Sequence, residues 1–295
     1  MNLLISIVMG LILAALFVIC LDVNRFVVRD YTIYSDKVDR EYKIALLADM
    51  HNKEYGKDNY KLISAIKDMN PDMVCCAGDI LTARPGKDTS IALKLFKYLK
   101  NYKVYYSLGN HEYRMKIYED RYPGLYEDYA EKLKEDGVIL LENDHAYFPN
   151  SNIRIQGLMI DREYYKRFDN VHMTGEYVDG LIRSGSNVDS YKNESGREDY
   201  CILLAHNPEF FESYCESNAD LIFAGHNHGG IVRLPLIGGL ISPKLSLFPK
   251  YDGGIYNEGI KTMVLSRGLG SHTIPVRFFN PGELICVHLC PCKKD

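Results

Sequence analysis

Five short polar pieces of the sequence each follow an apolar run, and together they carry imidazole, carboxylate and amide groups. They are Asp49-Met50-His51, Gly78-Asp79, Gly109-Asn110-His111-Glu112, the single His206, and Gly225-His226-Asn227-His228. A polar group at the end of a buried strand points into the crevice where α/β proteins bind their ligands. Imidazole nitrogen and carboxylate oxygen suit zinc, manganese and iron, so the five pieces predict a site for divalent ions of this kind.

The candidate ligands are too many for one four-coordinate ion. They comprise four imidazoles, two carboxylates and an amide: Asp49, His51, Asp79, Asn110, His206, His226 and His228. Because a single zinc site takes four ligands, this set predicts two divalent ions, of zinc, manganese or iron. The two-residue step from Asp49 to His51 places both side chains on one side of an extended strand. The Asp79 carboxylate has two oxygens and could bridge the ions.

The segments between the polar pieces alternate between strand-like and helix-like patterns. Apolar runs predict strands at 43–48, 73–77, 104–108, 201–205 and 221–224, directly before the polar pieces. Helical spacing predicts helices over 60–69, 91–99, 122–136 and 175–182. Further short strands are expected at 138–141, 146–148, 153–158, 263–266 and 284–288. This rhythm is typical of βαβ crossovers, so it predicts an α/β fold with largely parallel sheets stacked as a sandwich and flanked by helices.

The N-terminus carries an apolar segment long enough to cross a bilayer. Residues 3–21 contain no charge and would span about 28 Å as a helix. Only Met1 and Asn2 precede the segment, so it lacks the basic start of a cleaved signal peptide. Ile19 before Cys20 does not fit a lipoprotein site. We therefore expect a transmembrane anchor in residues 1–24, a juxtamembrane linker at 25–42 and a catalytic domain at 43–295.

The charges flanking the anchor predict its orientation. Arg25 and Arg29 follow the apolar segment and no Lys or Arg precedes it. By the positive-inside rule, the chain is a single-pass cell-membrane protein with its catalytic domain in the cytoplasm. The burial expected for Cys75, Cys76 and Cys201 in apolar runs agrees with reduced thiols in that compartment.

The bulk composition excludes few classes of protein. The chain has 295 residues, is 46% hydrophobic and carries a net charge of −4, so it can bury a sizeable core and has no long basic stripe for nucleic acid. We expect no nucleic-acid partner, and no feature points to an obligate protein partner. Four histidines fall outside the five pieces and are expected to be structural or on the surface: His145, His172, His272 and His288. The same holds for Cys286, Cys290 and Cys292 around His288.

The five pieces, in this order, resemble the signature of the calcineurin-like metallophosphoesterase superfamily. This resemblance covers residues 49–228 and implies a four-layer α/β/β/α sandwich. It also implies roles: Asp49, His51 and His228 bind the first metal; Asn110, His206 and His226 bind the second; and Asp79 bridges both. One departure is Thr82, where many members carry Asp or Asn three residues after the aspartate. That departure puts a supporting role at this position in doubt.

The same resemblance assigns the catalytic groups. His111 would lie beside the substrate phosphate, where it would stabilise charge or protonate the leaving oxygen, and Glu112 would orient His111. A hydroxide bridging the two ions would attack phosphorus in line with the leaving group. We therefore expect hydrolysis of a phosphodiester or a pyrophosphate bond.

The tail after His228 looks like that of a membrane-anchored bacterial branch, which includes UDP-2,3-diacylglucosamine hydrolases. The implied substrate is a lipid-linked nucleotide or another lipid phosphate. Five basic side chains could grip its phosphates, of which the first three are the leading candidates: Arg233, Lys250, Arg267, Lys244 and Arg277. The apolar stretch 234–248 is either a buried loop or a lip that dips into the membrane.

Two other classes of function compete with this hypothesis. The first is a catalytically silent scaffold or binding module with the same fold, which we would expect to have lost metal-ligating histidines. The complete ligand set favours the enzyme. The second is a nuclease, against which the net acidic charge and the apolar anchor count.

Overall fold

The computed structural model describes residues 2–86, 88–166, 171–185, 195–234, 237–241, 247–271 and 275–292. Its helices are α1 Asn2–Asn24, α2 Tyr60–Met69, α3 Ser90–Leu99, α4 Asn110–Ile117, α5 Leu125–Glu135, α6 Gly175–Gly185 and α7 Phe211–Glu216. Its strands are β1 Phe26–Ser35, β2 Tyr42–Leu47, β3 Met73–Ala77, β4 Lys103–Ser107, β5 Val138–Leu141, β6 His145–Tyr147, β7 Ile153–Leu158, β8 Tyr200–Ala205, β9 Leu221–Ala224, β10 Val232–Leu234, β11 Gly238–Ile241, β12 Gly254–Glu258, β13 Lys261–Leu265 and β14 Gly282–Pro291.

Two six-stranded sheets form the centre of the molecule. The first has the order β1-β14-β2-β3-β4-β5, and the second has the order β12-β13-β9-β8-β7-β6. Strands β2 to β5 run parallel to one another, as do β7, β8, β9 and β13. The carboxyl ends of parallel strands lie at one edge of a sheet, so each sheet presents the ends of several strands together.

Three apolar cores hold the layers together. One lies between the sheets and joins residues such as Leu46 and Phe223. A second packs α2, α3 and α5 on the outer face of the first sheet, and a third packs α6 and α7 on the second sheet. Strand β3 is buried at every position because both of its faces are covered. The predicted four-layer α/β/β/α sandwich is confirmed.

The expected linker at 25–42 is wrong, because most of it is a strand. Residues Phe26–Ser35 form β1, which pairs in parallel with β14 over ten residues. The segment alternates Val, Tyr and Ile with polar residues, a pattern that favours a half-buried edge strand.

Two helices also differ from the prediction. Helix α4 was missed, because Gly109-Asn110-His111 can equally be a turn, and the helix predicted at 122–136 is the shorter α5.

Helix α1 is apolar and long enough to cross a membrane, and its C-terminal end is tied to the globular part. Leu3–Asn24 has a mean hydropathy of 3.1, and its large side chains are exposed. At its end, the buried Asp22 carboxylate accepts hydrogen bonds from Asn280 N and from Arg25. The Asn280 side chain in turn donates to the carbonyls of His228 and Gly230. The helix therefore ends within a few bonds of a candidate metal ligand.

Candidate metal centre

The seven candidate ligands follow the carboxyl ends of five parallel strands. Asp49 and His51 follow β2, Asp79 follows β3 and Asn110 follows β4, all in the first sheet. His206 follows β8, and His226 and His228 follow β9, in the second sheet. Backbone bonds join these ends, including Asp49 N to Gly78 O at 3.0 Å and Gly225 N to His206 O at 3.1 Å. The structure therefore brings all seven to one edge of the sandwich.

A first group of ligands comprises Asp49, His51 and His228. Their ligand atoms lie within 4.8 Å of one another. The two imidazole Nε2 atoms are 3.2 Å apart, and His228 Nε2 lies 3.6 Å from Asp49 Oδ1. His51 Nε2 also lies 3.8 Å from Asp79 Oδ2. This is the grouping that the family resemblance implied for the first metal.

A second group comprises Asp79, His206 and His226, whose ligand atoms also lie within 4.8 Å of one another. His206 Nε2 is 3.2 Å from Asp79 Oδ2 and 3.8 Å from Asp49 Oδ1. Asp79 thus contacts imidazoles of both groups, as a bridging carboxylate would. Asn110 is the first residue of α4, and its side-chain amide lies at the same edge.

The donor set fits divalent cations. Among the described residues, Asp49 Oδ1 and Asn110 Oδ1 are buried oxygens without a hydrogen-bond partner, and His206 Nε2 faces the Asp79 carboxylate at 3.2 Å. Leaving a buried oxygen unpaired costs about 1–3 kcal/mol, and all three atoms belong to the predicted ligand set. Two fully buried carboxylates in one cluster also need positive charge beside them. Two divalent ions would meet both requirements.

Most of the ligands sit on strained backbone. Five of the seven have φ in the left-handed region: Asp49, His51, Asp79, His226 and His228, with φ between 48° and 72°. Residues other than glycine rarely adopt this conformation, and it clusters at functional sites. Asp49 and His51 therefore converge through a left-handed loop after β2, and not through the strand alternation that the sequence predicted.

Glycines beside the ligands allow the close approach of backbone to carboxylate. A Cβ on Gly109 would lie 2.2 Å from Asp79 Oδ1, and a Cβ on Gly225 would lie 2.3 Å from Asp49 Oδ2. Both distances are far shorter than any van der Waals contact. The glycines in the sequence pieces are therefore required by the packing of their neighbours against the two aspartates.

The far ring nitrogens of three histidines are held by oxygen atoms. His206 Nδ1 lies 2.7 Å from Ala77 O, and His228 Nδ1 lies 3.2 Å from Gly270 O. His51 Nδ1 lies 3.3 Å from Thr82 Oγ1. Such contacts fix the ring so that Nε2 faces the centre. Thr82, the departure from the family pattern, thus contacts a metal-ligand histidine directly.

His111 and Glu112 both lie at the candidate centre and are held by hydrogen bonds with the neighbouring loop. His111 Nε2 lies 4.0 Å from Asp79 Oδ2, while its Nδ1 accepts a hydrogen bond from Ala83 N at 2.9 Å. Glu112 is fully buried and accepts from four donors: Asp79 N, Leu81 N, Gly109 N and the Tyr106 hydroxyl. The Glu112 carboxylate therefore holds the loop that carries Asp79, and orientation of His111 by Glu112 stays a prediction.

The buried charges perturb one another strongly in the absence of metal. Burial raises the pKa of the Asp49 carboxyl. Burial would also raise the pKa of Asp79, but His206 and His111 hold it well below its usual range. Against the effect of burial, the Asp79 carboxylate raises the pKa of His206 to about 10. A protonated His206 thus puts a positive charge 3.2 Å from the Asp79 carboxylate.

The predicted phosphate-gripping cations divide into different environments. Arg233 and Arg267 line a common cavity of about 580 Å³ with Asp252 and Phe279. Arg233 pairs with Asp252 at 3.0 Å, and Arg267 lies 3.4 Å from Glu283. This cavity borders the loop after His228, because Arg233 donates to Gly229 O.

The other predicted cations do not reach that cavity. Lys250 forms an exposed ion pair with Glu212 at 2.7 Å on the surface. Arg277 is buried and donates to the carbonyls of Arg267, Gly268 and Asn280, so it supports the loops. Neither residue lines the cavity that holds Arg233 and Arg267, and a substrate role for either stays a prediction. Lys244 lies outside the described residues.

Sequence reasoning missed a second cluster beside the centre. Tyr165 places its ring 5.3 Å from that of His226 and 6.3 Å from that of His206. With Asn110 and Tyr113, it lines a cavity that also contains three cations: Arg114, Arg162 and Lys166. None of the three cations had a signal in the sequence, because Arg114 follows Asn110 by one turn of α4, a helix that the sequence did not predict.

The histidines expected to lie elsewhere do so where they are described. His145 is half-buried beside Asp144, and His172 is exposed. His288 contacts Glu41 at 2.7 Å and forms a separate cluster with Asp30 and Cys286 on β1 and β14. His272 lies outside the described residues.

Comparison with known proteins identifies the family of this chain. It is 29% identical over 269 residues to a metallophosphoesterase of Helicobacter pylori (strain J99 / ATCC 700824), covering 90% of this chain and 64% of that protein. It is 25% identical over 253 residues to a transmembrane protein with metallophosphoesterase domain from Danio rerio, covering 82% of this chain and 52% of that protein. The chain thus spans less than two thirds of the length of either relative.

A third relative has a named activity. The UDP-2,3-diacylglucosamine pyrophosphatase LpxG of Chlamydia muridarum (strain MoPn / Nigg) is 23% identical over 280 residues, covering 84% of this chain and 83% of that protein. Residues 42–230, which include every candidate metal ligand, match the calcineurin-like phosphoesterase family. On that match and on the clustering of its aspartates and histidines, the chain belongs to the calcineurin-like phosphoesterases.

Proposed function

We propose that this chain is a membrane-anchored phosphoesterase that uses two divalent metal ions to hydrolyse a phosphodiester or pyrophosphate bond. The observation that carries the proposal is the cluster of Asp49, Asp79 and four histidines at one edge of the sandwich. The buried acceptor atoms of this cluster match the needs of divalent cations. No ligand position of the family pattern is missing, which favours an enzyme over a silent scaffold.

Bound ions would supply a water nucleophile at neutral pH and would neutralise charge on the phosphate. The chain's own residues complete the site. His111 Nδ1 accepts the Ala83 N–H, so the ring proton of a neutral His111 is on Nε2. That N–H faces the centre and can donate to a phosphate or leaving-group oxygen. Of the two roles expected for His111, stabilisation of developing charge is therefore the one that its hydrogen bonding supports.

Glu112 acts on the site through backbone. Its carboxylate accepts the N–H groups of Asp79 and Gly109, which flank the two groups of ligands. We assign it as a positioning residue that fixes the Asp79 carboxylate, and Thr82 as one that orients His51.

A lipid-linked phosphate is the substrate class that the surroundings of the centre favour. Helix α1 can span a bilayer, and Asp22 and Asn280 connect its end to His228. Large apolar side chains are exposed in the predicted lip and near it: Ile237 at 63%, Leu247 at 66%, Phe248 at 63% and Phe279 at 47%. This exposure supports a membrane-dipping lip over a buried loop. Residues 235–236 and 242–246 of the lip lie outside the described residues.

The proposed membrane location rests on the apolar helix α1. The proposed lipid-linked substrate has support from the relative of Chlamydia muridarum, whose name states that it acts on UDP-2,3-diacylglucosamine. The cytoplasmic orientation of the domain stays a prediction. Arg25 and Arg29, on which that orientation rests, form ion pairs with Asp22 and Glu283.

Hydrolysis of bis-p-nitrophenyl phosphate and of p-nitrophenyl phosphate tests the proposal directly. The 295-residue chain in detergent would be stripped of metal and then given manganese, zinc or iron. We expect metal-dependent turnover of the diester that falls to background in Asp79→Ala. The matched control, Asp68→Ala, removes an exposed carboxylate from α2 and should keep wild-type turnover.

Each alternative has its own result in this experiment. Turnover of the monoester alone would change the assignment to a phosphatase. Absence of turnover in a protein that holds two metals, with both substrates, would favour the scaffold. Turnover that persists in Asp79→Ala would show that the reaction does not use this centre.

A further inference from the structure

A second cavity opens directly beside the metal centre and is lined by cations. It measures about 270 Å³, and its lining residues are Asn110, Tyr113, Arg114, Arg162, Tyr165 and Lys166. Asn110 belongs both to this cavity and to the candidate ligand set, so the two sites share a wall. We call this cavity the arginine pocket.

Arg114 is the member of the pocket closest in sequence to the metal ligands. It follows Asn110 by four residues on α4, so the two side chains lie on one helix face with their Cα atoms about 6 Å apart. Its Nε is buried and has no hydrogen-bond partner among the described residues. A buried guanidinium N–H without an acceptor is costly unless a ligand supplies one.

No described carboxylate neutralises the two arginines of the pocket. Within the described residues, neither Arg114 nor Arg162 forms an ion pair at 4.0 Å or less. Arg162 instead donates to the Tyr118 hydroxyl and lies over the Tyr118 ring. The nearby Asp161 accepts the Tyr113 hydroxyl at 2.8 Å. The two arginines of the pocket therefore have no carboxylate of their own to pair with among the described residues.

The second half of the pocket comes from a distant part of the chain that is fixed to the centre. The 3-10 turn Arg162–Tyr165 carries both Arg162 and Tyr165. Asn207, next to His206, donates to Tyr164 O at 3.0 Å and anchors that turn. This bond connects the turn to the chain segment that carries His206.

The chemistry of this pocket matches a phosphate group. Paired guanidinium groups bind phosphate oxygens with charge-assisted, often bidentate hydrogen bonds. The cavity is smaller than the roughly 300–1,000 Å³ of a pocket for a whole ligand, so it fits one group of a substrate. We propose that the arginine pocket binds a second phosphate, adjacent to the one at the metal centre, and thereby selects diphosphates over simple diesters. This inference rests on the proposed function.

The test compares two nucleotide probes that differ in the second phosphate. UDP-glucose supplies a diphosphate, and thymidine monophosphate p-nitrophenyl ester supplies a single diester phosphate. In Arg114→Gln, we expect the ratio of kcat/KM for the diphosphate to that for the diester to fall by about 10–100-fold, as for the loss of a charge-assisted hydrogen bond. Arg114→Lys should recover part of this ratio, because it keeps the charge and loses the planar fork.

One control variant and two possible results decide whether Arg114 acts on the second phosphate. Arg183→Gln removes an exposed arginine of α6 outside the pocket and should leave the ratio unchanged. An equal fall for both probes in Arg114→Gln would overturn the proposal, because Arg114 would then support the centre as a whole. An unchanged ratio would overturn it too.

A binding measurement separates failure of this inference from failure of the proposed function. If the metal-loaded wild type hydrolyses neither probe, the proposed function fails, and calorimetry with AMP and α,β-methylene-ADP still tests the pocket. We expect the diphosphate analogue to bind at least about tenfold more tightly than AMP, with this difference lost in Arg114→Gln. Equal affinities in the wild type would contradict the second phosphate site.

Discussion

Replacing Glu112 by glutamine should destabilise the protein far more than its conservative chemistry would indicate. Every described partner of the Glu112 carboxylate is a donor: three backbone N–H groups and the Tyr106 hydroxyl. An ionised carboxylate offers only acceptors and satisfies them all, whereas the amide of glutamine turns one of its two positions into a donor. At least one buried backbone N–H would then face another N–H.

The magnitude follows from the hydrogen bonds that change. One buried N–H left without an acceptor costs about 1–3 kcal/mol, and the remaining bonds weaken because they lose their charge. We therefore expect Glu112→Gln to lower the free energy of unfolding by about 3 kcal/mol. For a domain of this size, that loss lowers Tm by roughly 6–12 °C. The centre should also bind metal less tightly, because the Glu112 carboxylate holds the backbone N–H of Asp79.

Thermal unfolding of Glu112→Gln, followed by circular dichroism with and without metal, measures this effect. The exposed Glu131→Gln on α5 is the matched control and should unfold with the wild type. If Glu112 instead orients His111, Tm would stay within about 1 °C while kcat falls. That outcome would refute the assignment of Glu112 as the support of the Asp79 loop.

Three further predictions concern the surroundings of the ligands. Gly109→Ala should abolish metal-dependent turnover, because its Cβ would lie 2.2 Å from Asp79 Oδ1, whereas Gly180→Ala, which meets nothing within 4 Å, should keep activity in the same assay. Thr82→Val should weaken metal binding by about 10–100-fold, as measured by competition with a chelating dye. Thr82→Ser keeps the hydroxyl and should bind metal like the wild type. Equal affinities for the wild type and both variants would contradict the role of the hydroxyl. In the metal-free protein, Asp79 raises the pKa of His206 to about 10. Their ion pair therefore stabilises the fold fully below about pH 6.5, the usual pKa of histidine, and this stabilisation is lost as pH rises through about 10. Tm of the chelated protein should therefore fall from pH 7 to 10, and a Tm that rises over this range would refute the ion pair.

The sequence was sufficient to predict the fold class and the clustering of the ligands. Asp49, Asp79, Asn110, His206 and His226 each follow an apolar run, and parallel strands bring such ends to one edge. This convergence depends only on the order of strands and helices, which the periodicity of the sequence reveals. The family resemblance added the layers and the grouping around two metals.

Features that depend on packing between distant segments could not be read from the sequence. Asp49 and His228 have left-handed backbone in loops of different sheets, and their side chains approach within 3.6 Å only in the folded chain. Strand β1 is half-exposed at the edge of its sheet and pairs with β14, which lies more than 250 residues away in the chain. Its weak alternation resembles a polar linker until that partner is known.

The roles of single charged residues were the hardest to predict. Glu112 is next to His111 in sequence, but its side chain turns toward the backbone of the Asp79 loop. Lys250 and Arg162 are both exposed basic residues, and nothing in the sequence distinguishes them. In the fold, Lys250 pairs with Glu212, whereas Arg162 lines a cavity with Asn110.

These seven residues should together hold two divalent metal ions. The most direct test is anomalous diffraction from crystals grown with manganese or zinc, collected at the absorption edge of that metal. We predict two peaks at this edge of the sandwich, one among Asp49, His51 and His228 and one among Asn110, His206 and His226, with Asp79 between them. A single peak, or none at this edge in a protein that binds metal, would contradict the account.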